Sequence, residues 1–315
     1  MSASTPVRRK AVLAGAALAA FALALTACSS GSANVPGGSS DDAGSETSLF
    51  AGAPVASDDL ILPGSTMEKI KERGHLIVGE ALDAPLLSQQ DPTNPDSVTG
   101  FDADLAKLLA IYIFGEPNVE IVPPASETRE ALLSNGTVDV VFNTYTITEE
   151  RAEQISFAGP YFSSGLAVAV KADNDDIKGI DDLGGKTVIV GANTPAVLAV
   201  PEEQPTAELV DFATDPQAVQ ALLQGRGDAY VQDYTLLASH AVSNDDLKVV
   251  GQPFTSEPYG IGLSHGDAEF KEFINNWLLE IQESGHWGDV WKSSLGTVVE
   301  SDIPTPPTIG SVPGS

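Results

Sequence analysis

Between residues 108 and 225 the chain carries only two arginines, Arg129 in PASETREAL and Arg151 in TYTITEER. A guanidinium is a planar fork that donates two parallel hydrogen bonds, so each arginine is suited to holding a carboxylate. GANTPA at 191–196 follows an apolar run, with Asn193 or Thr194 at the N-cap and Pro195 at the first helical position. Free N–H groups and the positive end of a helix dipole make such a turn an anion seat. Asp233, in YVQDYTLL, stands where a strand hands over to a helix and where aspartate caps readily. Each residue also has a plainer reading. Arg151 can pair with Glu149 or Glu150 on a helix surface, Arg129 with Glu127 or Glu130, Asp233 can be a cap alone, and GANTPA a capped helix without a ligand. The histidines at 75, 240, 265 and 286 are scattered, HxxxH and Gly-rich phosphate loops are absent, and Cys28 is the only cysteine. The pattern therefore supplies no metal site, no cofactor loop and no disulfide within one chain.

The elements that must position these residues are written twice. ALLSNGTVDVVFNTYTITEER (131–151) and ALLQGRGDAYVQDYTLL (221–237) each give a helix end, a polar turn with glycine, an aspartate, a short apolar strand and a polar run opening a helix. Around them MEKIKERG, GFDADLAKLLAIYIF and SETREALLSNG read as helices, and LIVG, VEIVPP, VDVVFN and GKTVIVG as strands. Strands alternating with helices predict parallel sheets in an α/β architecture, and ligands in such sheets bind beyond the carboxyl ends of strands. Each copy belongs to one of two similar lobes that face each other.

At 315 residues the prior is two domains. Forty-four acidic against 16 basic residues give a formal charge of −28, the wrong sign for a nucleic-acid partner and the right one for a solvated, self-repelling surface. Residues 1–27 carry a basic start, an apolar run too short for a comfortable span and small residues before Cys28: a secretory signal. Leu25-Thr26-Ala27-Cys28 resembles the lipobox of bacterial lipoproteins, which implies cleavage before Cys28, lipidation of its sulfur and anchoring to the outer face of the cell membrane. The Ser-, Gly- and Asp-rich stretch 28–64 is expected to be a flexible tether with a reach of roughly 30 Å. The Pro-rich 301–315 is expected to be a disordered tail.

GFDADLAKLLA, GTVDVVFNTYTITEERAEQISFAGPYFSSG, DDLGGKTVIVGANTPA, GRGDAYVQD and EPYGIGL, in this order from about residue 67 to 295, resemble the polar amino-acid solute-binding proteins of ABC importers, and among them the lipid-anchored glutamate-binding members of Gram-positive bacteria. The resemblance implies a two-lobed type II periplasmic-binding-protein clamshell whose chain crosses the hinge twice, near Ser164 and near Glu257. Lobe 1 is then 65–164 plus 258–300, and lobe 2 is 165–257. It implies a monomer that binds a polar amino acid (glutamate first, with aspartate or glutamine behind) and presents it to membrane permease subunits. By the same resemblance Arg151 clamps the ligand α-carboxylate with Thr146, and Asp233 and the Thr144 carbonyl receive the α-ammonium. Thr194 contributes from lobe 2, and Ser126 with Arg129, one helical turn apart, selects an acidic side chain. Relatives often place an aromatic residue or a second arginine where this chain has PLLSQQ (85–90), which leaves Ser88 and Gln89 as polar contacts. A sensor that signals to a membrane receptor or kinase is the alternative. A secreted dehydratase of the same fold needs an added general acid, and no added carboxylate is expected to face the site, so no enzyme is predicted.

Overall fold

The computed structural model describes residues 49–298 and 302–315; the signal at 1–27, the lipidation candidate Cys28 and the tether up to residue 48 lie outside them. Thr66–Arg73 (α1) is capped by the Ser65 hydroxyl and stopped by Gly74 in the left-handed region, as the run MEKIKERG predicts. There follow Leu76–Gly79 (β1), three short strands Asp83–Ala84 (β2), Ser88–Gln90 (β3) and Val98–Thr99 (β4), and Phe101–Phe114 (α2). Val119–Val122 (β5), Arg129–Ser134 (α3), Val140–Val141 (β6), the single turn Glu149–Ala152 (α4) and the long Ser156–Ser164 (β7) complete the first pass. The chain then builds Leu166–Lys171 (β8), Thr187–Gly191 (β9), Ala196–Glu203 (α5), Glu208–Phe212 (β10), Asp215–Leu223 (α6), Ala229–Asp233 (β11), Tyr234–Ser243 (α7) and Leu247–Val250 (β12). Glu257–Leu263 (β13) returns to the first sheet before Ala268–Glu283 (α8) and His286–Ser293 (α9).

Two five-stranded sheets result, ordered β5-β1-β6-β13-β7 and β10-β9-β11-β8-β12. The expectation of parallel sheets holds for β5, β1 and β6 and for β10, β9 and β11. It fails for the strands that carry the chain between lobes: β13 runs antiparallel to β6 and β7, and β8 antiparallel to β11 and β12. A strand that enters a sheet directly from the other lobe has no crossover helix to turn it round, so it pairs in the opposite sense. Between β7 and β8 stands Gly165, where a Cβ would collide with the carbonyl of Thr255 on the returning segment. The two crossings are thus packed against each other, and only glycine fits there.

Helix α2 is buried from Phe101 to Ile113 because it is apolar almost all round. Phe101 meets Trp287 edge-on at 5.7 Å and Phe162 at 5.2 Å, and so ties α2 to α9 and β7. The ends of the described chain differ from expectation. Leu49, Phe50, Ala53, Ala56 and Ile61, placed in the tether by composition, pack on this core, and the Ala56 N–H donates to the Tyr112 carbonyl. The tail at 302–315 lies on lobe 1, where Ile309 and Val312 bury apolar surface and the Gly310 N–H donates to the Gly159 carbonyl at 2.8 Å. A few well-spaced apolar residues suffice to dock a segment whose average composition reads as linker.

Candidate functional site

A cavity of about 350 Å³ lies where the strand ends of the two sheets converge. Ser126, Arg129, Thr144, Thr146, Arg151, Thr194 and Asp233 all line it, so the seven residues singled out from the sequence come together on one wall or its opposite. Ser88 and Gln89 do not line it. The Ser88 hydroxyl turns inward toward the Ala81 carbonyl, and the Gln89 amide donates to the carbonyls of Leu82 and Gln90.

Arg151 sits on α4, whose Thr148 hydroxyl accepts from the Arg151 N–H. Its Nη1 donates to the Thr146 carbonyl at 2.7 Å and its Nη2 to the Asn193 carbonyl at 2.6 Å, so one guanidinium bridges the two lobes. Nε lies 3.5 Å from Glu130, which replaces the surface pairing with Glu149 or Glu150. Two hydrogen bonds leave further N–H groups of the five-donor fork for an anion. Arg129 is buried, donates through Nε to the Ser126 carbonyl and through Nη1 to the Asn143 carbonyl, and stacks 4.1 Å from the centroid of Tyr145. Burial, and secondarily the charge of Arg151, lowers its pKa to about 10, which keeps it charged at neutral pH. Arg151 lies 5.0 Å from the same ring, so Tyr145 holds both cations beside each other.

Thr144 has a left-handed backbone, φ 43, an uncommon state for a β-branched residue. Asp102 holds it there: one oxygen accepts from the Thr144 N–H at 2.9 Å, the other from the Tyr161 hydroxyl at 2.8 Å. Burial pushes the Asp102 carboxyl up to about 6 despite those bonds. Asn193 is also left-handed, φ 55, which keeps the GANTPA turn in the shape a glycine would give it. Neither Asn193 nor Thr194 caps α5 through its side chain. The helix begins at Ala196 after Pro195, and the Thr194 hydroxyl donates to the Gly191 carbonyl. Asn193 reaches instead across to the Ser126 carbonyl at 3.3 Å.

Asp233 caps α7, and one carboxylate oxygen takes three bonds, from the Ser164 hydroxyl and from the Thr235 N–H and hydroxyl. Its other oxygen is buried and accepts no hydrogen bond among the described residues. Burial raises the Asp233 pKa, and its hydrogen bonds work against that rise. The cap reading and the ligand reading are therefore compatible, since each uses a different oxygen.

Sequence reasoning missed several groups. Glu257, buried at the start of β13, lines the cavity, so the expectation that no added carboxylate faces the site is corrected. Its Cα pairs with Ser164 across the sheet, and Ser164 binds Asp233, which brings the two acids together. Burial raises the Glu257 pKa, the Thr255 hydroxyl lowers it at 2.7 Å, and the charge of Asp233 raises it again. The signal was its position, the residue opening EPYGIGL, but pairing across a sheet cannot be read from a local motif. Farther along the cavity, Asp83 of lobe 1 faces Asp215 of lobe 2. Asp215 accepts from the Tyr230 hydroxyl and contacts His240 Nε2. Burial opposes charge on His240, yet the hydrogen bond and charge of Asp215, with the charge of Asp83, carry its pKa above the ordinary value. No cluster of His, Cys, Asp and Glu among the described residues has metal-binding geometry, and no described helix is long and apolar enough to cross a membrane.

Residues 76–296 match the family model of bacterial extracellular solute-binding proteins, family 3. The chain is 34% identical over 249 residues to the glutamate-binding protein GluB of Corynebacterium glutamicum, covering 74% of this chain and 83% of that one. It is 32% identical over 229 residues to the ABC transporter glutamine-binding protein GlnH of Bacillus subtilis, covering 72% and 83%. A crystal structure of the solute receptor for L-cysteine of Neisseria gonorrhoeae superposes with a TM-score of 0.69 at 28% identity, over 74% of this chain and 95% of that one. The two sheets, the two crossings and the cavity between them are those of the type II periplasmic amino-acid-binding fold, and the chain belongs to the bacterial extracellular solute-binding proteins of family 3.

Proposed function

We propose that this protein is the lipid-anchored binding component of an ABC importer and that it holds L-glutamate between its lobes. One observation carries the reading: a single cavity joins two buried guanidinium groups to a buried aspartate with an unsatisfied oxygen. A zwitterion entering such a cavity loses its water and must find a partner for each charge. Arg151 and the N–H groups near Thr194 suit the α-carboxylate, Asp233 and the Thr144 carbonyl suit the α-ammonium, and Arg129 with Ser126 suits a second carboxylate. That a glutamate-binding protein is among its relatives supports the acidic ligand, and that a glutamine-binding protein is another makes the neutral amide its competitor. Calorimetric titration of the mature protein with the twenty amino acids tests the reading. Saturable heat strongest with L-glutamate is expected; silence with all of them rejects it.

The anchor has a separate test. Cys28 is the only sulfhydryl of the chain and stands at the end of a secretory signal. Cys28→Ser is expected to move the protein from the membrane fraction to the medium. Unchanged fractionation would remove lipidation from the account and leave amino-acid binding intact.

A further inference from the structure

Asp233 ends β11, paired with Leu166 at the start of β8 beside one crossing, and Glu257 opens β13 at the other; both are buried on the cavity wall. Ser164 links them, facing Glu257 across the sheet and donating to Asp233 at 2.9 Å. One oxygen of Asp233 is saturated and the other accepts no bond among the described residues, while Glu257 takes the Thr255 hydroxyl on Oε1. A single ligand ammonium is thus offered two carboxylates. We infer that Asp233 and Glu257 form one acidic seat that binds the ammonium group of an amino acid and gives up a proton as it does so. The inference rests on the amino-acid reading of the cavity and adds to it a second acid and a proton.

Two desolvated carboxylates side by side resist carrying two charges, so the pair keeps a proton to higher pH than either acid would alone in water. The neighbouring groups relieve it only in part: burial raises the Glu257 pKa by more than the Thr146 hydroxyl and the charge of Arg151 lower it. Arg151 is engaged with the carbonyls of Thr146 and Asn193 and with Glu130, and Arg129 lies on Tyr145. The hydroxyls of Tyr259 and Tyr161 titrate far above neutrality. An ammonium entering between the acids takes over the charge compensation that the proton supplied, and the proton passes to the buffer. The pKa of the pair is therefore higher without ligand than with it. Between those two values binding releases a proton, and affinity rises with pH by up to about tenfold per unit where a whole proton leaves; above the ligand-free pKa it levels off. Three other groups near the cavity also have raised pKa values: Asp102, on α2 beneath Thr144, Asp83 on the cavity wall, and His240 beside Asp215.

The test is calorimetry with L-glutamate and with L-glutamine over a pH series from about 5 to 8, each pH in two buffers whose ionisation enthalpies differ, such as phosphate and imidazole near neutrality. Expected is an observed heat that differs between buffers in the sense of proton release, equally for both ligands because both carry the same ammonium. Glu257→Gln keeps the shape and removes one charge. It is expected to lose the buffer dependence and flatten the pH series while binding still saturates, with its folding checked by thermal melting. Heats independent of buffer in the wild type would overturn the inference while leaving amino-acid binding standing. Release that persists undiminished in Glu257→Gln would also overturn it and assign the proton to Asp83, Asp102 or His240. No saturable heat with either ligand would overturn the inference and the amino-acid reading together.

Discussion

Arg151→Ala is expected to weaken L-glutamate binding by roughly 30- to several-thousand-fold, the range that corresponds to about 2–5 kcal/mol for truncating one partner of a buried charge pair. Two losses add. The ligand carboxylate forfeits its cation in a cavity where water cannot replace it, and the carbonyls of Thr146 and Asn193, which Arg151 bridges across the cleft, lose their donor. Glu130 is left without its guanidinium as well. Asp233→Ala, on the opposite wall, should cost a similar amount by stranding the ammonium. Isothermal titration of both variants, with thermal melts to verify folding, checks the pair. Affinity within about twofold of wild type for Arg151→Ala would return that residue to a lobe-bridging role with no part in the ligand.

The second large effect is on selectivity. Arg129 is buried, carries its charge over Tyr145 and spends two of its nitrogens on backbone carbonyls beside Ser126. If it faces a distal carboxylate, Arg129→Met removes the cation that offsets desolvation of that group while the α-groups keep Arg151 and Asp233. Glutamine needs no such cation, so L-glutamate should lose far more affinity than L-glutamine, and the preference should narrow or invert. Because the comparison is a difference of differences, general damage to the fold cancels. Equal losses for the two ligands would detach Arg129 from side-chain recognition.

The motifs around Arg129, Thr144–Arg151, Thr194 and Asp233 were legible because each sits at the end of a strand or the start of a helix, where local spacing decides geometry. Their arrival at one cavity follows from the alternation of strands and helices that the sequence displays. What local spacing does not encode is pairing at a distance. Glu257 becomes a cavity residue only because β13 returns to lie beside β7, and His240 meets Asp215 only when α7 packs near the start of α6. The antiparallel sense of β8 and β13 is likewise set by where the chain crosses between lobes. Composition misled at the ends. Ile309 and Val312 in a Pro-rich tail, and Leu49 and Phe50 in a Ser- and Gly-rich stretch, are too sparse to shift an average but bury enough apolar surface to dock their segments. Asp102 was visible in GFDADL as a helix residue, yet its bond to the Thr144 N–H, which holds that residue's left-handed backbone, appears only in three dimensions.

In this reading an acidic amino acid occupies the cavity with its ammonium on Asp233 and its distal carboxylate on Arg129. The ratio of wild-type affinities for L-glutamate and L-glutamine, measured by calorimetry on the same mature preparation at neutral pH, decides it. Both ligands are expected to bind, since both offer the α-groups that Arg151 and Asp233 hold, with L-glutamate at least about tenfold tighter, a modest return for one buried cation facing a carboxylate. A wild-type protein that prefers L-glutamine, or that binds neither, would contradict it.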